Sequence, residues 1–332
     1  MGRQPRHRLH GMIAAAEPSP LDERIDAAAR RLSNWGRWGP QDELGTLNLI
    51  TADKRLEALA CVRSGTAISL ALELRPDLPQ PAGSGRLNAQ HTMTETGSDL
   101  AARGDVSGYS DDVLAMSVHA ATHWDALSHA FHRGFMYNGR ACTEVTSAGA
   151  RSNDIVRVAD RLVTRAVLID VARYRAVDAL EPDHEVTVAD LEGALEVQGV
   201  EVRSGDVILV RTGQLGRIAA SGDWRSFTEV DGKLPLEPGI GLGCLPWVQE
   251  AGVAAIACDN WAVEHLHAGS DGRLPVHEVA IVHMGLTLGE IFQLDGLATH
   301  CAADGRWDVL LAAAPLPVRG GVGGIVNPIA IR

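Results

Sequence analysis

The chain holds no apolar run of the ~20 residues a membrane-spanning helix needs, no GxxxxGK phosphate loop, no GxSxG elbow and no CxxC pair. Its five cysteines (Cys61, Cys142, Cys244, Cys258 and Cys301) are scattered and odd in number. That suits reduced thiols and argues against a disulfide framework. Lysine is nearly missing: Lys54 and Lys233 are the only two, so basic charge is almost wholly arginine, a coding bias before any functional signal. Positive charge is in deficit as well, with 30 basic against 42 acidic residues and a net charge of -12. This argues against nucleic acid or anionic membrane as the main partner. Aromatic residues make up only 4% of the chain, and no local motif reads out a particular ring or acyl group. The start, MGRQPRHRLHGMIAAAEPSP, is basic but lacks the apolar segment of a secretory signal. Residues 1–20 therefore read as a loose tail, with His7 and His10 in it, and the expected location is the cytoplasm.

Hydrophobic residues form 45% of the 332, ample material for a core. Helical spacing of apolar residues covers Leu21–Leu32, and Thr51 caps a second helix that runs toward a stop at Gly65. TAISLALEL and LNAQHTMTE read as strands. Further on, strands (RAVLIDVA, GDVILVRTG, VAAIACD, WDVLLAAAPL) alternate with helices (TVADLEGALEVQG, CLPWVQEAG, PVHEVAIVHMG). That alternation predicts an α/β or α+β layered protein with a mixed sheet. With no linker and no repeat, residues 21–332 form one domain. RGGVGGIVNP is glycine-rich but opens no helix, so it is not a dinucleotide loop.

The densest chemistry lies in SVHAATHWDALSHAFHRG, residues 117–134. The apolar VLAMSV ahead of it predicts a strand running into the motif. On an extended chain His119, Ala121, His123 and Asp125 share one face, whereas on a helix Asp125 would point away from the histidines. Two imidazoles and a carboxylate form a ligand set for Zn²⁺, Mn²⁺ or Fe²⁺. Three protein ligands leave a position for water, whose pKa a divalent ion pulls toward ~7. His129 or His132 would then serve as base, proton shuttle or ligand to a second ion. Trp124 is either a pocket wall or core filler. Arg211, at the end of a strand, is a weak candidate for a carboxylate or oxyanion contact. A second group, His277, His283 and Glu290, follows the strand that ends at Asp259; on spacing alone each reads as structural. Glu278 reads as solvated, and Cys258 as buried and inert.

These two groups together resemble the cyclase family of metal-dependent hydrolases, which includes kynurenine formamidase and isatin hydrolase. The family signature HxGTHxDxPxH is met by His119, Thr122, His123, Asp125 and His129, with Ala121 in place of its Gly and Leu127 in place of its Pro. WGPQDELGTLNLIT, GDVILVRTG, PGIGLGCLPWVQEAGVAAIACD and HEVAIVHMGLTLGE resemble its other blocks. The resemblance implies a swivelling β/β/α fold and hydrolysis of an amide, lactam, imide, ester or lactone of a small molecule. It also implies one or two Zn²⁺ or Mn²⁺ ions. His119, His123 and Asp125 would be direct ligands, His129 a ligand or the acid/base, and His277 and Glu290 the completion of the site. A homodimer or homotetramer is implied too. A metal-dependent lyase, dehydratase or cyclase on the same ligands is the alternative, followed by a catalytically idle binding protein.

Overall fold

The computed structural model describes residues 18–78, 80, 85–222, 236–267 and 272–332. His7, His10 and the expected tail up to residue 17 lie outside these. Among the described residues nine strands form one mixed sheet: β1 (Ala67–Ser69), β2 (His123–Asp125), β3 (Val163–Asp170), β4 (Val207–Arg211), β5 (Ala255–Cys258), β6 (Thr287–Glu290), β7 (Asp308–Ala312), β8 (Gly323–Ile325) and β9 (Ile329–Ile331). Their spatial order is β1-β9-β7-β3-β4-β5-β6-β2-β8. The centre, β3-β4-β5-β6, is parallel, and both flanks are antiparallel. This is the single-domain, mixed α/β architecture that the alternation predicts.

The central strands read as unbroken apolar runs because both sheet faces are covered. Val167, Ile169, Ile208, Val210 and Ile256 pack on one side with Ile25 and Leu32 of α1 (Pro20–Leu32) and with Leu191 and Ala194 of α3 (Val188–Gln198). Ala166, Leu168, Val207, Leu209 and Ala257 pack on the other with Leu47, Trp124 and Phe292. Ser19 and Asp22 close a capping box on α1, with Pro20 as its first residue. Thr51 caps α2 (Ala52–Leu59) as expected, but the helix ends well before Gly65. Gly65, at φ +72°, instead turns the chain into β1. The amides of Ser64 and Gly65 both donate to the Arg332 carbonyl there. No helix among the described residues is long and apolar enough to cross a membrane.

One expectation fails on the way into the histidine run. The strand read in VLAMSV spans Asp111–Ala115 and belongs to a separate two-stranded ribbon with Gln90–Glu95. It stops before the motif, because Ala120 N–H bonds back to the Ser117 carbonyl in a turn. Only residues 123–125 are extended. The helix read in PVHEVAIVHMG is present as α5 (Pro275–Val279), prolonged by a π-helical turn, Ala280–Met284, that ends at Gly285 with φ +67°.

Candidate metal centre

Strand register assembles the cluster. Glu290 of β6 stands opposite His123 of β2, and Gly323 of β8 stands opposite Asp125. His123, Asp125 and Glu290 therefore project from one face. His119 enters from the turn before β2, stacking on His129 with ring centroids 4.3 Å apart. Gly323 gives it room, since a Cβ there would lie 2.3 Å from His119 Nε2. His277 arrives from α5. Ala121 keeps out of the left-handed region and is buried, as is Leu127. The two departures from the signature thus fill the core at no conformational cost.

Asp125 is the hub. Its Oδ1 lies 3.5 Å from His119 Nε2, 3.4 Å from His123 Nε2 and 3.9 Å from His129 Nε2, and its Oδ2 lies 3.6 Å from His277 Nε2. Glu290 closes the other side, 3.2 Å from both His123 Nε2 and His277 Nε2. Ligand atoms of His119, Asp125 and His129 lie within 4.8 Å of one another, as do those of His123, Asp125 and Glu290. Tautomers are fixed from behind. His123 Nδ1–H donates to the Ala121 carbonyl at 2.7 Å, and His277 Nδ1–H donates to Glu264 Oε1 at 2.6 Å. Each Nε2 is thereby turned inward, the outer support typical of metal-ligating histidine.

The donor set fits a divalent ion. His119 Nε2, His123 Nε2, both Asp125 oxygens and Glu290 Oε2 are buried without a hydrogen-bond partner among the described residues. Burying so many unsatisfied polar atoms is costly, and a shared cation would satisfy all of them. The charges point the same way. Burial opposes a charged His123, yet Asp125 and Glu290 outweigh it and raise its pKa to about 9. His277 rises well above its usual value against the same burial penalty, held by Asp125, Glu264 and Glu290. Asp125 is pushed far down by the surrounding histidines despite its burial. His119 and His129 are shifted downward, chiefly by burial.

Other readings are corrected here. Trp124 is no pocket wall: it points to the sheet face opposite His123, is fully buried, and donates its Nε1–H to the Ala313 carbonyl at 2.9 Å. Arg211 is held by Asp170 and Asp295 at 2.9 and 2.7 Å. Glu278 is not solvated but paired with Arg273. His132 turns away from the cluster, bonding His283 at 2.9 Å. Cys258 is buried, as its sequence setting implies, and burial pushes its thiol well up. Two residues escape sequence reading. Glu264 accepts from the Val276 and His277 amides as well as the His277 ring. Arg86 lies beside Glu290 and donates to the His119 carbonyl. Neither belongs to a local pattern.

The Cyclase family model matches residues 68–265. A crystal structure described as that of a novel cyclase is 34% identical, with a TM-score of 0.82 over 91% of this chain and 100% of that one. Isatin hydrolase A from Labrenzia aggregata, solved with benzyl benzoate, is 20% identical with a TM-score of 0.60, over 84% of this chain and 97% of its own. Isatin hydrolase A from Ralstonia solanacearum is 21% identical with a TM-score of 0.60, over 83% and 97%. The two isatin hydrolases share the fold with this chain. No curated protein matches it.

Proposed function

This chain belongs to the cyclase family, and from that premise we propose that it is a metal-dependent hydrolase of a small-molecule amide, lactam, imide, ester or lactone. The observation that carries the reading is the set of buried, unpartnered ligand atoms gathered on Asp125. His119, His123 and Asp125 would hold one Zn²⁺ or Mn²⁺. Glu290 and His277 would complete that site or a second one. A divalent ion there supplies an activated water and polarises the substrate carbonyl. His129 is the most open member of the cluster, its side chain 23% exposed against 9% for His119. Burial keeps it neutral, so it can take a proton and pass it to the leaving nitrogen or oxygen. Glu290 is the other group in reach for that transfer.

Metal analysis of the purified chain, then a screen of formamides, cyclic imides, lactams and lactones, tests the reading. Turnover in H₂¹⁸O should place label in the product carboxylate. Turnover without label would favour the lyase or cyclase alternative, and a chain without stoichiometric metal would favour an idle binding protein. A homodimer or homotetramer is part of the proposal. It is supported by the exposed ribbon, on which Met93, Val113 and Leu114 are 44%, 54% and 46% exposed. Light scattering should give a mass above that of one chain.

A further inference from the structure

We propose that Arg86 and Trp261 form a carboxylate-binding subsite beside the metal centre, so that the preferred substrate is an acid whose carboxylate lies next to the bond cleaved. The inference rests on the metal-centre reading. Arg86 Nη1 lies 3.9 Å from Glu290 Oε2 and donates to the His119 carbonyl at 3.1 Å, which seats the guanidinium at the rim of the cluster. Its Cζ stands 4.6 Å from the Trp261 ring centroid, over the indole face.

Trp261 is itself built in. Glu237, fully buried, accepts from the Trp261 and Ala262 amides at 2.9 and 2.7 Å and pins the start of the loop after β5. Trp261 is 8% exposed, and its Nε1–H is buried without an acceptor among the described residues. A buried indole N–H normally finds one. Leu72, Ala121 and Ile291 share one buried apolar cluster with Trp261.

A planar cation stacked on an indole whose own N–H lacks an acceptor among the described residues suits a ligand that only accepts hydrogen bonds through paired oxygens, which is a carboxylate.

The test uses the metal-loaded full chain with phthalate and benzoate as probes, read by titration calorimetry. Both offer one carboxylate to the ion, but only phthalate has a second for Arg86. Wild type should bind phthalate at least tenfold more tightly than benzoate. Arg86→Gln should erase that preference with benzoate affinity and metal content unchanged, Arg86→Lys should restore part of it, and Trp261→Phe should lower it severalfold. No preference in wild type, or equal weakening of both probes in Arg86→Gln, overturns the proposal. Loss of metal in Arg86→Gln would make Arg86 a mere prop of the His119 turn and overturn it too. Neither readout needs turnover. A chain that hydrolyses nothing yet keeps the phthalate preference sinks the hydrolase reading and leaves this one standing.

Discussion

At the residue scale, two of the cluster's histidines, His123 and His277, are held charged by its carboxylates. His123, raised from 6.5 to about 9, is protonated at pH 7 in the metal-free chain because two carboxylates hold its charge against the cost of burial. A ligand imidazole must be neutral, so metal entry expels that proton. Apparent metal affinity should therefore rise with pH up to about 9 and weaken steadily as pH falls below it. Calorimetry in buffers of different ionisation enthalpy should show proton release on binding, and affinity independent of pH would contradict the assignment. His123→Ala should remove both metal and turnover; retained activity would overturn the ligand set. Glu264 acts one bond further out, fixing the His277 tautomer, and Glu264→Gln should lower metal affinity by ~10–100-fold.

At the scale of the element, three short pieces of regular structure do the positioning. β2 contributes only three residues, yet its pairing with β6 and β8 decides which side chains meet. Gly323→Ala should leave the fold intact but push the His119 ring aside, since the added Cβ would sit 2.3 Å from its Nε2. Metal content by mass spectrometry should drop while circular dichroism stays unchanged. The opposite outcome is expected one residue along β2 from His123. Trp124→Ala empties a fully buried site and breaks the bond to Ala313. It should cost ~3–5 kcal/mol in denaturant unfolding, and metal bound per folded chain should stay near that of wild type.

For the whole molecule, ligands drawn from the turn before β2, from β6 and from α5 mean that a bound ion ties separate parts of the sheet together. Chelation should lower the unfolding midpoint, by the equivalent of ~4 kcal/mol for an ion supplied at about a thousand times its Kd. An unchanged midpoint would show that the cluster holds no ion. Much of this was legible in the chain. The unbroken apolar runs and capped helices announced the layered sheet, because burial on both faces demands continuous apolar strands and each helix start needs its orphan amides capped. His119, His123 and Asp125 announced themselves by residue type and nearness. What local pattern could not carry was pairing. Parity in an assumed strand put His119 beside His123, whereas a turn does so in the fold, and the side of β2 that faces the core follows from its neighbours β6 and β8. Glu264, Arg86 and Gly323 are silent in the chain because each acts through a contact made across distant segments. The sequence by itself determined the donor chemistry and the layers. Only tertiary structure decided which donors converge on Asp125, since strand register and helix packing are properties of the whole sheet.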